Sequence, residues 1–324
     1  MQTLATADPP VHTVHRAAVF PELVARRMAD LESDIAQLSS GLIHAAVNRH
    51  ATFDFMSEIG NQVPIQVIAR LIGFPDSDPA TLLQAAFDST EMLAATMTRT
   101  ELESMLFRTD QVSAWLTAQV EGALALPGEG ILGAVARSIR SGDLGRQEAV
   151  VIIHTLLSAG GESTTSLLGN AVRILAEQPR LQQEIRNDRS LIEPFVEEVL
   201  RLESPFRHHM RSAHTASRLG EVDIPEGSTL LLLWGAANRD PAEYQQPDAV
   251  VLDRPSPRHH VAFGRGIHHC VGAPLARLEG RIVLAGLLDQ TDHFELGEQA
   301  PARVNSLMVR RHARLPIRCH PARK

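Results

Sequence analysis

Cys270 stands in the run Phe263-Gly264-Arg265-Gly266-Ile267-His268-His269-Cys270-Val271-Gly272-Ala273-Pro274-Leu275-Ala276-Arg277. Glycines at 264, 266 and 272 let the backbone take angles that other residues avoid, or pass close to something bulky. From Ala273 onward the residues favour a helix, with proline at an early position. The sulfur therefore precedes a helix N-terminus, where free N–H groups and the helix dipole favour an anion. A thiolate in such a loop suits a soft metal. The other use of the same residue is a buried structural cysteine in a tight turn. Cys319 is the only other cysteine, so no disulfide framework is implied and a reducing compartment fits.

Three further constellations have spacing that could do chemistry. Leu157-Ser158-Ala159-Gly160-Gly161-Glu162-Ser163-Thr164-Thr165 lies within a stretch, from about Arg146 to Gln178, that has no proline until Pro179. A helix over that stretch would run roughly 50 Å. Two glycines and a run of hydroxyls in its interior predict a kink or a widened turn. Glu198 and Arg201 are three apart and His12 and Arg16 four apart, so each pair shares a helix face. The histidine pairs 208/209, 259/260 and 268/269 lack a second cysteine or acidic residue spaced for a closed zinc site.

The elements that must position these residues read as mostly helical. Asp8 before Pro9 and Pro10 is the expected cap of a first helix. Apolar residues from Leu23 to Ile43 recur with a period near 3.6, predicting a helix over 21–50. Further helices are predicted over 63–73, stopped by Gly73, over 79–97 and 100–125, and over 275–289. Pro127-Gly128-Glu129-Gly130 breaks the pattern. Thr229 to Trp234 reads as a continuous apolar, buried strand, and 294–316 as short strands. Apolar residues make up 44% and charged residues 21% of 324, which is ordinary for a globular protein. A net charge of -7 argues against a nucleic-acid partner. The chain has no run of 18 apolar residues, so no membrane anchor is expected.

Phe263, Gly266, Cys270 and Gly272 fill without a gap the spacing of the haem-binding loop of the cytochrome P-450 family, and the chain resembles the soluble bacterial members. The resemblance implies a mainly α fold with small β-sheets, as one domain over 1–324. It implies haem b (iron protoporphyrin IX) with Cys270 as its axial iron ligand, framed by Phe263, Gly264 and Gly272. His12, Arg16, Arg211 and His268 would bind the haem propionates. The 157–165 segment is similar to the family's oxygen-side helix. There Glu162 takes the acidic position and Ser163 the usual threonine position, with Thr164 next to it, as a catalytic proton relay. Glu198, Arg201 and Arg254 match the family's structural charge network.

The activity implied is a monooxygenase acting on a small hydrophobic molecule. Electrons would come from NAD(P)H through a ferredoxin reductase and a ferredoxin, the latter docking near Arg265, Arg277 and Arg281. The expected location is the cytoplasm. Family members carry a first helix, first strands and a pocket-roofing loop ahead of the helix that bears His12. None of that precedes Asp8, so an N-terminally shortened fold is expected, with one sheet edge unpaired around 209–213. The alternative function is a non-catalytic haem-binding protein or inactive remnant.

Overall fold

The computed structural model describes all residues except 1, 3, 75, 127, 323 and 324; for 25–30 it describes the backbone alone. Pro127 of the expected break thus lies outside the described residues. Helices dominate: α1 (Val11–Val19), α2 (Ala25–Arg49), α3 (Gln62–Ile72), α4 (Pro79–Ala94), α5 (Arg99–Ala125), α6 (Gly130–Ser141), α7 (Arg146–Glu177), α8 (Pro179–Asn187), α9 (Ile192–Leu202), α10 (Trp234–Ala237) and α11 (Ala273–Gln290). The strands are β1 (Thr52–Asp54), β2 (His209–Ser212), β3 (Ser217–Leu219), β4 (Val222–Ile224), β5 (Thr229–Leu232), β6 (Thr291–Leu296), β7 (Ala302–Arg303), β8 (His312–Arg314) and β9 (Pro316–Pro321). They form an antiparallel sheet in the order β1-β9-β6 and three two-stranded ladders, β2-β5, β3-β4 and β7-β8.

Helix α7 is the axis of the core. Its 32 residues span about 48 Å, and α3, α4, α5, α6 and α11 pack around it. Its end is set by Pro179, which opens α8. Capping chemistry fixes other boundaries. Thr98 and Glu101 form a reciprocal capping box at the start of α5. Asp78 caps α4 through the N–H groups of Ala80 and Thr81. Gly73 ends α3 in the left-handed conformation, at φ +115°, that a Cβ disfavours.

Three expectations need correction. Asp8 does not cap α1 through its side chain. Pro10 occupies the cap position, and the main-chain oxygen of Asp8 accepts the His12 N–H at 3.0 Å. The strand at 229–232 is not buried: Leu231 is 50% exposed and Met210, on the neighbouring strand, 59%. It pairs only with β2, and no described element covers that face. The edge of β2 away from β5 pairs with no described strand.

The widened turn expected at Gly160-Gly161 is also absent, since α7 is α-helical throughout. The glycines serve close packing instead. A Cβ on Gly160 would lie 2.9 Å from Cγ1 of Ile68, and one on Gly161 3.1 Å from Cδ1 of Ile65. The hydroxyls bond back along the helix, Ser163 Oγ to the Ala159 oxygen at 2.7 Å and Thr165 Oγ1 to the Gly161 oxygen at 2.8 Å. Gly160→Val should accordingly destabilise the protein by about 1–3 kcal/mol through overpacking against α3. Chemical denaturation reads this directly; an unchanged midpoint would show that α3 and α7 can part at no cost.

Candidate functional site

The Cys270 loop is built by its own backbone. Cys270 N–H donates to the Phe263 oxygen at 2.9 Å, His269 N–H to the Gly266 oxygen at 3.0 Å and Gly264 N–H to the Val261 oxygen at 2.9 Å. Gly264 and Gly266 hold φ of +67° and +75°, so glycine is required at both. Gly272 has an ordinary φ of -87°. A Cβ there would sit 3.8 Å from Cys270 Sγ, an ordinary contact distance, so this glycine lies directly beside the sulfur.

Cys270 is an exposed free thiol with dense protein around its inner side. That desolvation pushes its pKa up. The N–H groups of Gly272 and Ala273 and the charges of Arg16 and Arg277 pull the other way, without winning. The sequence foresaw the anion-favouring helix end but not that burial outweighs it.

The four side chains predicted to meet the haem carboxylates gather at this loop. Arg16 Nη1 donates to the main-chain oxygens of His269 (3.0 Å) and Ile267 (3.3 Å). The rings of His12 and His268 approach to 4.4 Å between centroids. Burial, then the neighbouring His268 and Arg16, holds the His12 pKa down; burial, then Arg211, does the same for His268. His12 Nε2 is buried without a partner. Among the described residues, no carboxylate pairs with Arg16 or Arg211, and Arg211 reaches only the Met210 oxygen. A buried orphan donor and unneutralised guanidiniums beside a free thiol fit a group bearing two carboxylates and a thiophilic metal.

Behind the loop, α9 carries two adjacent acids. Glu198 accepts both arms of Arg201 (2.7 and 2.9 Å), Arg254 Nε (2.8 Å) and the Val251 N–H (2.9 Å). Burial opposes its charge, but these donors more than offset it and lower its pKa. Glu197 was not anticipated. It takes Arg277 at 2.6 and 3.0 Å and His260 at 2.9 Å. Despite burial, those partners hold its pKa at about 2. Arg277 also stacks on Phe263, 4.5 Å from the ring centroid, so it straps the loop to α9 and is not free for docking. Arg281 is likewise engaged, with Glu32 at 2.6 Å.

On α7, Glu162, Ser163 and Thr164 diverge. Ser163 is half-buried and Thr164 buried. Glu162 is fully buried, with Oε1 2.9 Å from Arg311 Nε. Burial raises its pKa, while Arg311 and the Thr90 hydroxyl work against that rise. Arg311 lies 3.6 Å over the Phe87 ring. Among the described residues no hydrogen bond joins this trio to the Cys270 loop. Arg311 was not foreseen, because a lone arginine 149 residues downstream carries no local signal. A surface groove of about 760 Å³ between the ends of α3, α5 and α6, with Arg70 and Leu132 in its wall, contains none of the predicted residues.

The cytochrome P-450 family model matches residues 134–311. The chain is 41% identical to cytochrome P-450 144 of Mycobacterium tuberculosis over 314 residues, covering 97% of this chain and 72% of that protein. It is 33% identical to cytochrome P-450 107B1 of Saccharopolyspora erythraea, covering 97% and 76%. The crystal structure of P450BioI in complex with hexadec-9Z-enoic acid ligated acyl carrier protein superposes with a TM-score of 0.92 at 27% identity, covering 98% and 81%. CYP109E1 from Bacillus megaterium in complex with testosterone gives 0.90 at 28% identity, covering 98% and 83%. The family consists of haem-thiolate monooxygenases that use haem b and receive NAD(P)H electrons through redox partners. No described helix is long and apolar enough to cross a membrane. The fold, the cysteine loop and the relatives agree, and the chain belongs to the cytochrome P-450 family.

Proposed function

We propose that the chain places one atom of O2 into a small hydrophobic molecule, with Cys270 as the axial ligand of the haem iron. The observation that carries this reading is the free Cys270 thiol beside His12, His268 and two arginines, Arg16 and Arg211, that pair with no carboxylate among the described residues. Haem, when bound, supplies dioxygen activation and C–H oxidation. Arg16, Arg211, His12 and His268 would hold its two carboxylates, by charge-assisted bonds from the arginines. The added negative charge would raise the pKa values of both histidines.

Ser163 is the hydroxyl of the trio left accessible, and its Oγ is the atom we assign to passing protons. Its proton rests on the Ala159 oxygen and can be redirected by a rotation about χ1. Glu162 is assigned as the carboxyl fixed behind that hydroxyl, since Arg311 holds it. Thr164, buried beside them, completes the packing. An apolar substrate is supported by the fatty-acyl and testosterone complexes of the two structural relatives.

Electrons are assigned to a ferredoxin served by an NAD(P)H-dependent reductase. Its docking falls to Arg258 and Arg265, which are exposed, whereas Arg277 and Arg281 are half-buried in their pairs with Glu197 and Glu32. The test is turnover with a surrogate ferredoxin and reductase. Product should depend on NAD(P)H, and Ser163→Ala should lower product per NAD(P)H by roughly tenfold or more, releasing peroxide in its place. An intact thiolate spectrum with no NAD(P)H-dependent product from a broad substrate panel would favour the non-catalytic haem-binding reading.

A further inference from the structure

Five guanidinium groups crowd one carboxylate where the C-terminal half of α7, the end of α9 and the β7-β8 ladder meet. Buried Glu203 lies 3.1 Å from Arg173 Nη2, 3.1 Å from Arg303 Nη2, 3.1 Å from Arg310 Nη1 and 3.7 Å from Arg239 Nη2. Two rim carboxylates add little: Glu177 pairs with Arg173, and Asp248 with Arg239. The fifth guanidinium, Arg207, is half-buried beside Arg310 and Glu203. Its side chain makes no hydrogen bond or ion pair among the described residues. Five cations against three carboxylates leave a local surplus of two positive charges, in a chain whose net charge is -7.

The donors are left wanting as well. Nε of Arg207 and Nε of Arg173 are both shut off from water without a partner. Buried donors in folded proteins are ordinarily paired. His312 is 1% exposed, and both of its ring nitrogens lack partners. It stands opposite Arg303 in the β7-β8 register, so the two side chains share one face of that ladder. Burial, then the charges of Arg303 and Arg173, hold its pKa down. Two separate groups near Glu203, the Arg207/Arg173 pair and His312, thus have buried polar atoms without partners.

A divalent oxyanion with several acceptor oxygens answers both needs. It cancels the surplus and accepts from guanidinium forks, whose geometry matches phosphate. We propose that this cluster is a phosphate-binding site, seated between Arg207 and Arg310 and backed by Arg173 and Arg303. The ligand is inorganic phosphate or the phosphate of a monoester. The site is independent of the Cys270 loop.

The test uses the haem-loaded protein at fixed pH and ionic strength, with chloride exchanged for inorganic phosphate. The parent should show a saturable rise in Tm and broadening of the phosphorus resonance. Arg207→Met should weaken the midpoint of that titration at least tenfold. In chloride the same variant should melt at or above the parent temperature, because it loses no hydrogen bond and sheds a like-charge contact. Arg207→Lys, which keeps charge without the fork, should fall between. Glycerol phosphate run in parallel distinguishes the sources: a much tighter midpoint than phosphate assigns the site to an ester, an equal or weaker one to the free ion. Equal responses of parent and Arg207→Met would mean general ion exclusion and overturn the proposal. So would a lowered Tm of Arg207→Met in chloride, which would make Arg207 a structural residue.

Discussion

Arg201→Ala should lower the stability of the folded protein by about 3–5 kcal/mol and yield protein with little haem. Arg201 is 1% exposed and every donor it owns is used. Nε and Nη2 hold Glu198, while Nη1 and Nη2 reach the main-chain oxygens of Asn238 (3.0 Å), Pro247 (2.6 Å) and Ala249 (2.8 Å). Those oxygens belong to the stretch that leads from α10 to the cysteine loop. Removing the guanidinium leaves three main-chain acceptors without it and strips buried Glu198 of two of its four donors, Arg254 and the Val251 N–H remaining, which costs far more than the pair itself contributes. Arg201→Lys should recover only part, because an ammonium cannot make the fork. Thermal unfolding and the haem-to-protein ratio read the effect. An alanine variant with the parent's Tm and haem content would show that this network does not hold the loop.

Glu279→Leu should make the protein more stable, and most clearly at alkaline pH. Glu279 lies on α11 at 1% exposure with Oε2 unpaired. Burial alone pushes its pKa up to about 8. The unfolded chain releases this proton near pH 4.5, whereas the folded state holds it to about 8. The folded state therefore binds more protons across that window, and stability falls as pH rises through it. His209 and His312 act in the opposite direction. Burial pushes both down to about 4, so they raise stability as pH climbs from about 4 to 6.5. Above pH 6.5 the Glu279 slope stands without that offset. The full shift corresponds to about 4–5 kcal/mol at pH 8 as an upper bound, and leucine fills a similar volume without a charge to desolvate. Denaturant unfolding of parent and variant between pH 6.5 and 9 decides it: the gap should widen toward pH 8. Parallel curves would mean that water or rearrangement already solvates the carboxyl.

What could be read from the sequence was what is local. The cysteine loop, the three-residue step from Glu198 to Arg201 and the four-residue step from His12 to Arg16 carry their geometry in their spacing. The long helix showed itself by the want of proline before Pro179. Partners brought together by the fold left no such trace. Glu162 meets Arg311 across 149 positions, and Glu197 meets His260 and Arg277 across 63 and 80. The four arginines on Glu203 come from α7, the segment after α10 and the β7-β8 region. Propensity weighed the backbone cost of Gly160 but carried no sign that Ile68 would fill the space beside it. The run of leucines at 230–233 signalled a strand correctly but not its exposure, since burial depends on what covers a face.

The central claim is a bond between Cys270 and the haem iron. The most direct measurement is the absorbance spectrum of the reduced, CO-bound protein, taken for the parent and for Cys270→Ser. The account predicts the red-shifted Soret band of thiolate ligation in the parent and its loss in the variant, with the circular dichroism of the two unchanged. A variant that keeps the parent's spectrum, or a parent without the shift, would contradict it.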